Sequence, residues 1–100
     1  MTPDELEDPD NLEISCVLNG ERVQHSRTKN LIFGISQLIS YLSSHLTLNP
    51  GDVIFTGTPA GVGFTRAPAR YLRPGDQLLS RIEGLGELVT RVQGPEGNAP

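Results

Sequence analysis

The sequence predicts a mainly β chain with one helix, an α+β arrangement. Two observations carry that expectation. Apolar and polar residues alternate on either side of tight-turn residues at two places, and only one stretch has helical spacing. The chain has 100 residues, 36% of them apolar and 20% charged, with a net charge of −4. Its 28 Leu, Ile, Val and Phe residues exceed what a disordered chain carries. At this length a single domain buries about 60 to 70% of the unfolded chain's surface, so its stability is marginal unless a partner covers more. An oligomer or a missing piece is therefore expected.

The first alternation sets Leu12, Ile14, Cys16 and Leu18 against Glu13 and Ser15, and residues 21–25 return after Asn19-Gly20 with Val23 as their apolar member. Asn and Gly tolerate positive φ at both central positions of a type I′ turn, so this is a hairpin. Ahead of it, residues 1–11 hold Pro3, Pro9 and five acids, which predicts an extended acidic connector and no helix. From Leu31 the period changes. Leu31, Ile35, Leu38, Ile39, Leu42 and Leu46 share one helical face, with serines on the other, which predicts a helix over 34–45. Asn49-Pro50-Gly51 cannot continue it.

Val53-Ile54-Phe55 is expected to form a short buried strand. Two five-residue segments, 48–52 and 72–76, both place Pro then Gly at the centre of a type II turn ahead of an apolar strand. The second launches residues 77–83, Gly84-Leu85-Gly86 turns the chain, and residues 87–93 complete a second hairpin. Residues 12–93 thus make up the folded part, and 94–100 a flexible tail.

Charge and composition exclude several functions. No apolar run approaches the roughly 18 residues that a membrane span needs, and the N-terminus is acidic where a signal peptide is basic, so a cytoplasmic chain away from membranes is expected. The single cysteine, Cys16, excludes a disulfide scaffold or a thiolate metal site and reads as a small core hydrophobe. The eight bases are scattered along residues 22–91 without the dense runs and interleaved aromatics that nucleic acid demands, so they read either as solvated surface charge or as a mild positive field suited to a small carboxylate.

The stretch with most chemical promise is Thr56-Gly57-Thr58-Pro59-Ala60-Gly61-Val62-Gly63, directly after the expected buried strand. Its glycines let the backbone approach a ligand closely, and its threonine hydroxyls add donors. It is neither a Walker loop, lacking Gly-Lys-Ser/Thr, nor a dinucleotide fingerprint, lacking the third glycine and the helix. Taken alone, such a loop is more often a plain structural turn than a ligand site.

The order of segments changes that weighting. Asn19-Gly20-Glu21-Arg22-Val23-Gln24, Thr28 with Leu31-Ile32-Phe33, Tyr41-Leu42-Ser43, and the whole run from Thr47 through Gly63 resemble the fumarylacetoacetate hydrolase family. The likeness continues through Pro68, Tyr71-Leu72, Pro74-Gly75-Asp76 and Ile82-Glu83-Gly84-Leu85-Gly86. It implies the C-terminal portion of a mixed β-sandwich roll. It implies an enzyme of small 2-oxo, diketo or enol dicarboxylic acids that hydrolyses a C–C bond, isomerises or decarboxylates. It also implies Mg²⁺, or the similar Mn²⁺ or Ca²⁺, and a homo-oligomer. Thr58, matching the second threonine of the family motif, is expected to contact the substrate carboxylate, with Gly57 giving close backbone approach beside it.

The resemblance also implies that the metal carboxylates, the catalytic His-Glu pair and the active-site lysine lie upstream of this stretch. Catalytic and metal-binding residues are therefore expected to be absent from this chain, which alone should not turn over substrate. Glu5-Leu6-Glu7 copies the spacing of a metal pair but sits in the acidic connector, so it reads as linker. The expected partners are a small carboxylate and either a second copy or the upstream half of the domain. The rival reading is a truncated, non-catalytic module that associates with a full-length family member.

The remaining polar residues have plainer readings. His25 and His45 lack a carboxylate or second His at metal-ligand spacing and read as surface or capping groups. Asp52 and Asp76 read as turn residues bonded to local backbone. Thr28 reads as a helix cap, with a part in the site wall as the alternative. Gln24 matches the family without a derivable role.

Overall fold

A computed structural model describes residues 1–95. Four strands, β1 (Glu13–Leu18), β2 (Glu21–Arg27), β3 (Gln77–Ile82) and β4 (Gly86–Arg91), form one antiparallel sheet in the order β2-β1-β3-β4. One α-helix, α1 (Ile35–Ser43), stands between the two hairpins in sequence. The mainly β, one-helix expectation therefore holds for this portion.

Turn chemistry sets the sheet. Asn19 and Gly20 take φ of 49° and 85°, the positive values that bring β1 and β2 back antiparallel. The second hairpin closes with Leu85 N–H donating to the Ile82 carbonyl at 3.0 Å. β1 and β3 then pair, placing Ile14 opposite Ile82, Cys16 opposite Ser80 and Leu18 opposite Leu78. The repeated Pro-Gly turns match in detail. Gly51 and Gly75 have φ of 92° and 94°, and Asp52 and Asp76 each donate a backbone N–H across the turn, at 3.1 and 3.0 Å. Each carboxylate also accepts the N–H of the turn's first residue, at 2.7 Å from Asn49 and 2.8 Å from Arg73.

Asp76 does more than close its turn. Its Oδ1 accepts Asn19 Nδ2 at 2.9 Å, its Oδ2 accepts Arg70 Nη2 at 2.8 Å, and Asn19 Oδ1 accepts the Gln77 N–H at 2.9 Å. The clasp ties the tip of the first hairpin to the start of the second. Asp76 is only 7% exposed, and the bonds from Asn19 and from the Arg73 N–H, with Arg70 beside them, lower its carboxyl to about 2.

The core is small. Among the described residues Leu12 and Leu18 are the buried apolar ones, and Ile14, Cys16 and Val17 are half-buried, so Cys16 sits at the edge of the core and not inside it. The helix is shorter than the expected 34–45. Gly34 is its N-cap, its N–H donating to Gln37 Oε1 at 3.1 Å. At the other end the Ser44 hydroxyl and the His45 ring take the Tyr41 carbonyl at 2.6 and 3.1 Å, which closes the last turn. The apolar face of α1 is not packed down on the sheet: Ile35 and Ile39 are exposed, as is Leu46 beyond its end.

Two further expectations are corrected. Residues 53–55 form no strand, and Phe55 is 95% exposed. A strand needs a neighbour for its backbone donors and acceptors, and none of the described strands lies beside this segment. The acidic connector is not wholly extended, because Pro3–Glu5 form a 3₁₀ turn whose entry is fixed by the Thr2 N–H donating to Glu5 Oε2 at 2.5 Å. Of the 94–100 tail, residues 96–100 lie outside the described residues. Among the described residues no helix is long and apolar enough to cross a membrane.

Candidate functional site

The glycine-rich loop is held against β2 by a defect in the sheet. The β1–β2 register pairs Cys16 with Gln24 and Val17 with Arg22, so Val23 is the extra residue of a β-bulge. A bulge lifts a residue out of the ladder and re-aims its backbone. The Val23 carbonyl accordingly accepts Arg66 Nη2 at 2.7 Å, while Arg66 Nε donates to the Gly61 carbonyl at 3.2 Å. Arg66 staples the loop's far end to the bulge.

The loop approaches so closely that glycine is required twice. A Cβ on Gly61 would lie 2.1 Å from the Val23 carbonyl oxygen, and one on Gly63 would lie 1.9 Å from the Arg70 carbonyl oxygen. Both would collide with backbone that a rotamer change cannot move.

Gln24, next to the bulge, holds the loop's near end. Its Nε2 donates to Thr58 Oγ1 at 2.8 Å and to the Pro59 carbonyl at 2.9 Å. Thr56, Gly57, Thr58 and Pro59 then form one wall of an open cleft of about 580 Å³. Its other walls are Ile14, Ser26 and Arg27 of the sheet, Thr28 and Asn30 of the 3₁₀ turn after β2, Leu31, Ile32 and Phe33 of the following segment, and Ile35 and Leu38 of α1. The cleft is largely apolar, with the Thr56 and Thr58 hydroxyls on the loop side and Ser26, Arg27, Thr28 and Asn30 on the sheet and turn side. Arg27 also donates to Asn11 Oδ1 at 2.8 Å and pairs with Glu83 at 3.3 Å, which fixes its position in the wall.

The expected site residues, Thr58 and Gly57, thus stand together on this cleft, and Thr58 is exposed to solvent and reachable. Thr28 lies on the same wall but caps no helix. Its Oγ1 accepts the Leu12 N–H at 2.8 Å and donates to the Pro9 carbonyl at 3.2 Å, tying the lead-in to the end of β2. The scattered bases are corrected too: Arg27, Arg66 and Arg70 are half-buried and bonded inside the fold. Nothing in their spacing signals this, because each meets its partner only through the tertiary fold. His25 contacts Glu13 at 3.2 Å on the exposed sheet surface. Glu5 is engaged with Thr2. Among the described residues no three His, Cys, Asp or Glu gather where they could hold a metal ion, so these residues do not by themselves fit a metal shell.

Comparison with known proteins places this geometry. The sequence model described as fumarylacetoacetate (FAA) hydrolase C-terminal matches residues 1–93. The chain is 53% identical over 94 residues to the fumarylacetoacetate hydrolase domain-containing protein 2 homolog of Dictyostelium discoideum, covering 93% of this chain and 31% of that protein. It is 46% identical over 92 residues to the mitochondrial oxaloacetate tautomerase Fahd2a of Rattus norvegicus, covering 92% of this chain and 29% of the relative. The crystal structure of maleylpyruvate hydrolase from Sphingobium sp. SYK-6, in complex with manganese(II) and pyruvate, superposes with a TM-score of 0.82 at 35% identity, covering 94% of this chain and 33% of that one. The chain therefore spans about a third of the length of the proteins it matches.

Proposed function

Since the chain belongs to the fumarylacetoacetate hydrolase family, we propose that it is the C-terminal part of an enzyme of small 2-oxo, diketo or enol dicarboxylic acids, acting by C–C hydrolysis, isomerisation or decarboxylation. Its own contribution is the wall that binds the substrate's carboxylate. The observation that carries this reading is the placement of Thr58 and Gly57 on the wall of a cleft that pairs apolar side chains with Ser26, Arg27, Thr28 and Asn30, with the Thr58 side chain held by Gln24. A hydroxyl donor there pairs with a carboxylate, and the apolar walls accommodate the carbon skeleton. The relatives named for tautomerase and hydrolase activity support the reaction class, and the one solved with pyruvate supports the acid.

The same reading includes a divalent cation, Mg²⁺ or the similar Mn²⁺, held by carboxylates outside the described residues; the relative solved with Mn²⁺ supports it. It also includes a cover for the exposed apolar face, supplied by the upstream part of the domain, which completes the mixed β-sandwich roll. What the present residues do is bind and orient. Thr58 donates to the carboxylate, Gly57 keeps that wall low, and Ile32, Phe33 and Leu38 give the carbon chain an apolar wall that sheds water once the cover closes over it.

Nuclear magnetic resonance titration with pyruvate tests the reading. Pyruvate should shift the amides of residues 56–59, and Thr58→Val should weaken its affinity by on the order of tenfold, the loss of one hydrogen bond to a charged group. Unchanged affinity in Thr58→Val would refute it. Purified chain alone should give no Mg²⁺-dependent loss of acylpyruvate ultraviolet absorbance, and turnover by it would overturn the division of labour.

A further inference from the structure

We propose that Gln24 is a positioning residue that sets which way the Thr58 hydroxyl proton points. The inference deepens the carboxylate reading of Thr58 and rests on it. A side-chain amide has an oxygen end and a nitrogen end of similar shape, and its hydrogen bonds decide which end faces which partner. Here the Pro59 carbonyl decides it. That oxygen can only accept, and it lies 2.9 Å from the amide nitrogen, so the NH₂ end must face the loop.

The second N–H of the same nitrogen is then directed at Thr58 Oγ1, 2.8 Å away. Thr58 is an acceptor toward Gln24, and its own proton cannot point back at that nitrogen. The proton turns toward the remaining open side, which is the cleft whose wall Thr58 forms. A hydroxyl so held meets a carboxylate with its donor already aimed, and the bond it accepts polarises its O–H.

The bulge at Val23 makes this arrangement available. By taking one residue out of register, it places Gln24 beside the loop while the Val23 carbonyl holds Arg66. Gln24 therefore has two separable effects, anchoring the loop through Pro59 and orienting Thr58. Only the second depends on the Thr58 hydroxyl.

A double-substitution cycle in the full chain separates them, with pyruvate as the probe and amide shifts as the readout. Gln24→Leu should weaken pyruvate binding about fivefold when Thr58 is present and by less than twofold in the Thr58→Val background. Gln24→Glu, which keeps the size of the side chain but offers an acceptor to Thr58, should weaken binding further than Gln24→Leu. It also serves as the second variant if Gln24→Leu fails to fold. Equal losses in both backgrounds would show that Gln24 merely anchors the loop and would overturn the proposal, as would no loss on Gln24→Leu. Failure of Thr58→Val to weaken binding, or of pyruvate to shift the unsubstituted chain, would instead overturn the carboxylate reading beneath it.

Discussion

Gly61→Ala is the sharpest test of how the loop is held. The added methyl would stand 2.1 Å from the Val23 oxygen and 3.1 Å from Gln24 Cγ, at a φ of 111° that L residues rarely adopt. The Val23 carbonyl cannot rotate away without breaking its bond to Arg66, so the loop must lift off β2. Lifting loses one charge-assisted bond, from Arg66 to Val23, and the two neutral bonds from Gln24. Together these are worth about 3 to 4 kcal/mol, a large part of the stability of a domain this small. Gly57→Ala is the control. Its φ of 94° is also positive, but no atom lies within 4 Å of the new methyl, so only backbone strain of about 1 to 2 kcal/mol applies. Urea unfolding gives both free energies, and amide hydrogen exchange over residues 56–63 reports whether the loop has opened. The reasoning fails if Gly61→Ala costs no more than Gly57→Ala, or if it leaves exchange in the loop unchanged.

Other consequences are open to measurement. The Asp76 carboxyl, lowered to about 2, favours the fold while it is ionised; that contribution is complete above the ordinary aspartate value and is lost as pH falls from about 4 toward 2. Urea midpoints measured between pH 5 and pH 2 should therefore fall more steeply for the unsubstituted chain than for Asp76→Asn, and parallel slopes would contradict the clasp. Arg66→Lys keeps the charge but loses the fork that reaches both Val23 and Gly61, so loop exchange should rise with a cost of about 1 to 2 kcal/mol. Phe55→Ser should leave the chain's unfolding free energy within about 0.5 kcal/mol, since that side chain is 95% exposed. A loss above 2 kcal/mol would mean that Phe55 packs inside the chain.

What could be read from the sequence is what a few neighbouring residues decide. Asn19-Gly20 and the two Pro-Gly turns fold as their backbone preferences require, and the apolar spacing of residues 31–46 places the helix correctly with ends two or fewer residues off. Asp52 and Asp76 cap their own turns, as expected of aspartates at that spacing. Thr58 and Gly57 do line a cleft, but their expected role there rests on the family motif alone, because a Gly-Thr pair carries no geometry of its own. What was not legible is what distant residues decide. Residues 53–55 look like a strand because apolar runs between turns usually find a partner, and local composition cannot say whether one is present. Gln24 has no local signal, since its partners lie 34 and 35 residues away and its reach depends on a bulge. Arg66 reaches 43 residues back to a carbonyl that an unbroken ladder would have occupied.

The exposed apolar face and the cleft belong to one argument. A compact 10.8 kDa monomer exposes about 5,500 Å², whereas this chain exposes 7983 Å². Its radius of gyration of 16.5 Å likewise exceeds the roughly 13 Å of a compact chain of this length. The excess area is the size of a permanent interface. Ile32 and Phe33, 91% and 61% exposed, lie on that face and also line the cleft. A segment that covers them therefore closes the cleft as well, and removes water from around Thr58. A hydroxyl aimed at a carboxylate competes poorly with bulk water and well without it. Any cover supplied to this apolar face is thus the same cover that would let the Thr58 wall hold an acid tightly, so stability and affinity should rise together when it is supplied.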